Sequence, residues 1–202
     1  MYRYTKRLLD ILLSLIGLVF LIPICIVVKI FFLCGGDRKS IFFKQVRVGK
    51  DGKLFMMYKF RSMVHNAEEL LEELLKEERY RKQWADNQKI DNDPRTTKIG
   101  LFLRKTSLDE LPQLLNVFKG DMSIVGPRPL VEGELEEHGG SKLYWKEKPG
   151  ITGWWGSHGR SDVDYEQRLE LEYYYIRNMS FKLDVICIFK TITAVLNHEG
   201  AV

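Results

Sequence analysis

The sequence predicts a mostly helical α+β fold, with one small β-hairpin set among amphipathic helices and an N-terminal apolar helix for a membrane. Three observations carry this reading. Residues 8–33, LLDILLSLIGLVFLIPICIVVKIFFL, are almost entirely apolar and long enough to cross a hydrocarbon core. Residues 41–60 read as two strands around the turn Gly49-Lys50-Asp51-Gly52. Most of the remainder repeats its apolar residues at helical spacing. A length of 202 residues suits one modest domain. We divide it into an anchoring segment over 1–36 and a polar domain over 37–202, folding as one unit. The formal charge of +4 is mild, and aromatics do not interleave with a basic stripe, which argues against a nucleic-acid partner. Cys25, Cys34 and Cys187 form no even framework and read as free thiols facing a reducing compartment.

In the apolar run, Pro23 stands near the middle and would bend or break a helix. Asp10 and Lys29 intrude near its ends. Both flanks are basic, with Arg3, Lys6 and Arg7 before and Arg38, Lys39 and Lys44 after. Basic flanks favour the cytoplasmic side, so a straight span opposes one of them. A helix that enters, bends at Pro23 and leaves on the same face satisfies both. The residues alone leave spanning and re-entry open.

The predicted strands cover 41–48 and 54–60, and the second ends in Lys59-Phe60-Arg61-Ser62-Met63. Residues i and i+2 of a strand share a face, so Lys59 and Arg61 are expected to make one face doubly cationic. A charged helix is predicted over 66–89, with Ala67, Leu70, Leu71, Leu74 and Leu75 on one stripe. Glu72–Lys76, Glu77–Arg81 and Glu78–Lys82 are its i,i+4 pairs. Over 97–105, Ile99, Phe102 and Leu103 share a face, which suits either a membrane interface or the core.

The chemistry concentrates in 104–130, RKTSLDELPQLLNVFKGDMSIVGPRPL. Pro112 places a helix start near Asp109, and the spacing Ser107-x-x-Glu110 fits a capping box. The adjacent acids Asp109 and Glu110 then sit at a helix N-terminus, whose dipole should keep Asp109 ionised. The helix continues over 111–118 and stops at Lys119-Gly120. Gly126-Pro127-Arg128-Pro129 is a stiff turn that holds one guanidinium in a fixed pose. Two acids among Arg104, Lys105, Lys119 and Arg128 point to a phosphate site with a divalent cation, carboxylates on Mg²⁺ and cations on phosphate oxygens. Residues 131–148 carry no clear signal. Helices are predicted over 166–178 and 181–197, the second interfacial or buried.

These runs together resemble the bacterial sugar transferase family, the monotopic phosphoglycosyl transferases of glycan assembly. The likeness covers nearly the whole chain: Pro23 in the apolar run, the Lys59–Met63 basic motif, Asp93-Pro94-Arg95, the acid pair, the Pro127–Pro129 turn and Pro149-Gly150-Ile151-Thr152-Gly153. The chain departs from the family pattern at Ile22, where serine is usual before the proline. It departs also at Gly156, where glutamine is usual, and at Glu172, where aspartate is usual.

The resemblance implies a re-entrant membrane helix on the cytoplasmic face of the bacterial plasma membrane. It implies transfer of a sugar-1-phosphate from a UDP-sugar to undecaprenyl phosphate with Mg²⁺. That reaction is the first membrane step of capsule, exopolysaccharide, O-antigen or glycoprotein assembly. In this reading Asp109 is the nucleophile and forms a covalent phosphosugar, and Glu110 holds metal or relays a proton. Lys59, Arg61, Arg104 and Arg128 bind phosphate oxygens. Pro127, Pro129 and Arg160 are candidates for the nucleotide pocket, and Glu172 for a further metal-site acid. Trp154 and Trp155 are candidates for an interfacial anchor, a base-stacking platform or the core. A homodimer is left open. The rival reading is a membrane-tethered adaptor that recruits assembly partners through the charged 66–89 helix, but it gives the acids and their cations no task.

Overall fold

The computed structural model describes residues 2–87, 90–158 and 163–196. The apolar run forms a single helix, α1 (Tyr2–Cys34), with Pro23 inside it. Pro23 has no N–H to give the Val19 carbonyl. Asp10, Ser14, Leu21, Val28 and Phe32 are its buried residues, at spacings that keep them on one stripe. The other faces expose Leu12, Ile16, Phe20, Ile26 and Phe31 among others. Just 17% of its most apolar window is buried, so α1 is no core helix, and its apolar surface calls for lipid.

The buried stripe is docked near both ends. Lys6 donates to Asp184 at 2.8 Å, and Arg7 donates to the carbonyls of Val117 and Phe118 at 2.6 and 2.9 Å. Asp10 accepts from the Ser123 hydroxyl at 3.1 Å and the Ile124 N–H at 2.9 Å. At the far end Lys29 donates to the carbonyls of Arg38 and Lys39, at 3.1 and 3.0 Å. The two charges that interrupt the apolar run therefore both find partners in the same domain.

The hairpin follows as expected, β1 (Phe42–Val48) antiparallel to β2 (Leu54–Phe60), with Phe42 opposite Phe60 and Val48 opposite Leu54. The single helix expected over 66–89 is instead two, α2 (Ala67–Leu74) and α3 (Glu78–Asn87); residues 88 and 89 lie outside the described ones. Glu78–Lys82 closes at 2.8 Å, while each of the other two expected pairs has one member in the break. After the break, Trp84 lies 5.5 Å from the Arg95 guanidinium.

Helix α4 (Lys98–Lys105) starts at Thr97, whose hydroxyl accepts from the Gly100 N–H at 2.9 Å. Its Leu103 is buried and Ile99 packs on the core, as the core alternative expects, while Leu101 and Phe102 are exposed. A 3-10 turn over Leu108–Gln113 leads into α5 (Leu114–Lys119), which ends at Gly120 in the left-handed conformation (φ 97°).

Next, β3 (Ser123–Val125) pairs in parallel with β4 (Gly150–Thr152), a sheet absent from the sequence reading. Between them lie α6 (Glu134–Glu137) and a 3-10 turn over Lys142–Lys146. Helices α7 (Trp154–His158), α8 (Tyr165–Asn178) and α9 (Phe181–Leu196) complete the domain.

One buried side chain joins α5 to the hairpin. Asn116 accepts from the Tyr58 N–H at 3.1 Å and donates to the Met56 carbonyl at 2.7 Å, acting as a neighbouring strand for β2. Leu108 and Leu111, on either side of the acid pair, pack on the cluster formed by Leu21, Val28 and Phe32 of α1 with Ile41, Phe60 and Leu103. The acid turn is thus wedged between membrane helix and hairpin. Replacing Asn116 by alanine strands both β2 groups and should cost about 2–3 kcal/mol, read as a lowered unfolding midpoint in denaturant.

Candidate active site

The acid pair sits in the 3-10 turn, not in an α-helix. Pro112 cannot bond back to Leu108 and disfavours α geometry at Leu111, so the chain tightens before α5 begins. Ser107 precedes it in the left-handed conformation, φ 55°, and its side chain caps nothing. The expected capping box is therefore not formed. Glu110 reaches across to β2 instead, accepting from Lys59 Nζ at 2.9 Å.

Arg104 is aimed from the last turn of α4, where its Nε donates to the Ser62 hydroxyl at 2.9 Å. The seat of α4 explains that aim. A Cβ on Gly100 would lie 1.8 Å from the Ser62 carbonyl oxygen, so backbone meets backbone where β2 leaves the hairpin. Beside it, Asp93 and Arg95 form a buried pair at 2.6 Å, which gives the Asp93-Pro94-Arg95 motif a structural task. Ser62 and Asn116 hold Arg104 and the acid turn in place, and the sequence reading assigned neither.

Arg61 lines the same cleft but is engaged. It donates to Asp37 at 2.8 Å and to the Ser40 carbonyl at 2.8 Å, and its guanidinium lies 4.6 Å from the Phe32 ring. The doubly cationic strand face is therefore reduced to Lys59, since Arg61 braces the exit of α1 and has a single buried nitrogen, Nη1, without a partner.

Burial raises the Asp109 carboxyl to about 6; the neighbouring Glu110 charge adds to the rise, and Lys59 and Arg104 oppose it. The expected dipole-held ionisation is corrected: loss of water outweighs the short turn's dipole, and two cations keep the group acidic enough to ionise at neutral pH.

A cleft of about 1360 Å³ brings Asp109, Glu110, Lys59, Arg104 and Arg128 together. Pro129 lines it too, whereas Pro127 does not; Pro127 is buried, with its carbonyl accepting from the Gly150 N–H at 2.8 Å. Glu172 backs this turn, accepting from the Arg128 N–H at 2.9 Å. Complete burial raises its carboxyl to about 7. Among the described residues no three His, Cys, Asp or Glu side chains gather as a metal cage, so Glu172 does not join the acid pair in one. Arg160 lies outside the described residues. Trp155 lines the cleft with the guanidiniums of Arg128 and Arg168 over its ring, at 5.3 and 4.8 Å.

A long apolar helix docked on a small domain, with an acid pair and cations lining one cleft, is the architecture of a membrane-associated protein. The chain belongs to the bacterial sugar transferase family, which it matches over residues 1–198. It is 45% identical to the UDP-galactose-lipid carrier transferase of Erwinia amylovora, over 98% of this chain and 42% of that protein. The undecaprenyl-phosphate galactose phosphotransferase of Salmonella typhimurium is likewise 45% identical, with the same coverage. The exopolysaccharide production protein ExoY of Sinorhizobium fredii is 41% identical over 98% of this chain and 88% of its own length. The chain thus spans about two fifths of the first two relatives and most of the third.

The electrostatics predict that Lys59→Met, by removing a charge that lowers the Asp109 carboxyl, moves its titration above about 6. Carboxyl-labelled NMR of the variant should show that upward shift, while an unchanged midpoint would exclude Lys59 as a partner of the pair.

Proposed function

We propose that this chain transfers a sugar-1-phosphate from a UDP-sugar to undecaprenyl phosphate at the cytoplasmic leaflet. The observation that carries this reading is a desolvated carboxylate, Asp109, in a membrane-flanked cleft with Glu110, Lys59 and Arg104 about it. The names of relatives such as the undecaprenyl-phosphate galactose phosphotransferase of Salmonella typhimurium supply the acceptor and the phosphotransfer.

An Asp109 oxygen bonds to the phosphorus that carries the sugar as the bond from that phosphorus to the bridging oxygen breaks. UMP leaves with the bridging oxygen and its electron pair. An oxygen of the lipid phosphate then attacks the acyl phosphate, the bond to Asp109 breaks, and the carboxylate is restored. Lys59 and Arg104 face the charge that spreads over the phosphoryl oxygens. Glu110, paired with Lys59, fixes that ammonium beside the nucleophile.

The donor set fits Mg²⁺ shared with the substrate, because this ion takes one or two carboxylates and completes its shell from phosphates and water. Asp109 and Glu110 would hold it, and when bound it neutralises phosphoryl oxygens. Chelation should abolish transfer, and added Mg²⁺ should restore it.

Transfer of radiolabelled sugar to extracted lipid is the assay. Asp109→Asn should remove activity by at least about a thousandfold, and Glu110→Gln should lower it by less. As Asp109 must be ionised to attack, the rate should fall as pH drops through about 6. A rate unchanged down to pH 4.5, or near-normal turnover by Asp109→Asn, contradicts the assignment.

We also propose that α1 enters and leaves the membrane on one face, since Asp10 and Lys29 both bond to the same domain. Single cysteines at Tyr4 and Ser40, in a chain cleared of its own cysteines, should both label from the cytoplasm alone. Labelling of either from outside would sink this topology.

A further inference from the structure

Two arginines, Arg128 and Arg168, lie over the Trp155 ring, and a third, Arg47, is close enough to feel the charge of both. Arg47 comes from β1, where its guanidinium donates to Gln45 Oε1 at 2.7 Å and to the Pro129 carbonyl at 3.3 Å. Arg128 comes from the turn that includes Pro129, and Arg168 comes from α8. One carboxylate serves two of them: Glu134 lies 3.9 Å from Arg47 and 3.3 Å from Arg168. Among the described residues Arg128 has no carboxylate within ion-pair distance. Glu172, the acid behind Arg128, is raised to about 7 and so offers only part of a charge at neutral pH, and Glu110 acts on Arg47 more weakly than Glu134 does.

The hydrogen bonding is as incomplete as the charge. Arg47 Nε, Arg168 Nε and Trp155 Nε1 are buried donors without partners, and Glu172 Oε2 is a buried acceptor without one. Buried donors are normally satisfied, and three in one corner call for an acceptor from outside the chain. Arg47, Arg128 and Trp155 all line the cleft. With two guanidiniums over its ring, Trp155 offers its N–H edge more readily than a face for a base. Burial and the charges of Arg128 and Arg168 push the Arg47 guanidinium downward, as expected of a cation short of counter-charge.

We infer that Arg47, Arg128 and Trp155 form a second anion subsite that holds the nucleotide-side phosphate of the donor, with Arg168 as a positioning residue behind the indole. This rests on the donor reading above. A nucleoside diphosphate sugar brings two phosphates. Asp109, Lys59 and Arg104 account for the one attacked, and the other leaves as a monoester that gains a negative charge when the bridging bond breaks. Donors already in place around that phosphate favour that gain more than they favour the diester they first bind. The lipid phosphate is the other anion the cleft must admit, so the experiment separates the two.

The test measures binding of UMP and of uridine to the full chain in nanodiscs, and the KM for undecaprenyl phosphate. The wild type should hold UMP more tightly than uridine. Arg47→Gln should weaken UMP at least tenfold, leave uridine within twofold and leave the lipid KM within twofold. Glu134→Gln keeps an acceptor for the Val131 N–H but removes the competing charge, so UMP should bind several-fold more tightly. A purely structural role for Arg47 predicts the opposite sign there, with weaker binding and a lower melting temperature. UMP binding within twofold of wild type in Arg47→Gln, or a change confined to the lipid KM, overturns the subsite while leaving transfer itself intact. If the wild type transfers sugar but does not distinguish UMP from uridine, the subsite falls alone. If it binds neither and transfers nothing, the donor reading falls with it.

Discussion

A carboxylate removed from water, Asp109, beside a second acid, Glu110, is the constraint on which this structure turns. Carboxylates that lose solvent and face each other are driven toward protonation, which is the direction Asp109 takes. The remedy is positive charge from separate parts of the chain, Lys59 from β2 and Arg104 from α4. Each cation has to be aimed, which explains the surrounding architecture. Asn116 fastens α5 to β2, Ser62 receives Arg104, and Gly100 lets α4 approach the hairpin exit closely. Leu108 and Leu111 press the acid turn against α1, so the membrane helix is part of the site's foundation as well as its anchor.

The polar residues of α1 follow the same logic. A buried aspartate in an apolar helix is costly unless hydrogen-bonded, and Asp10 receives two bonds at β3. Near the N-terminus, Asp184 gathers Tyr2, Lys6 and Tyr175 at 2.6–2.8 Å, tying α1 to α8 and α9. Folding of the domain and docking of the anchor are coupled through these bonds. Asp10 holds β3 through Ser123 and Ile124, and Tyr175, bonded to Asp184, donates to the Val125 carbonyl, so both acids support the strand that leads into the Gly126–Pro129 turn.

What was legible in the sequence was local. The hairpin, the Gly120 stop and the Thr97 start are each written in a few adjacent residues, and they stand within a residue of expectation. The acid pair, Arg104 and Arg128 were legible because acids and cations recur around one motif, and Lys59 through the resemblance of its Lys59–Met63 run. The second sheet was not, since three-residue strands 27 positions apart show no period that a window can detect. The capping box failed because a left-handed Ser107 removes its geometry and Lys59 competes for Glu110, neither visible in the spacing. The ion pair of Arg61 was hidden for a similar reason: its partner Asp37 is 24 residues away. Arg47 and Arg168 carry no local signal, because they come near Arg128 only through the fold.

The account's central claim is that Asp109 carries the phosphosugar between the two substrates. The most direct measurement mixes excess UDP-sugar with the purified chain and Mg²⁺ in the absence of lipid, then quantifies released UMP and the mass of the Asp109 peptide. The account predicts about one equivalent of UMP per chain and a phosphosugar adduct on that peptide, both lost in Asp109→Asn. Release of UMP only after undecaprenyl phosphate is added, with no adduct trapped at any time, would contradict it.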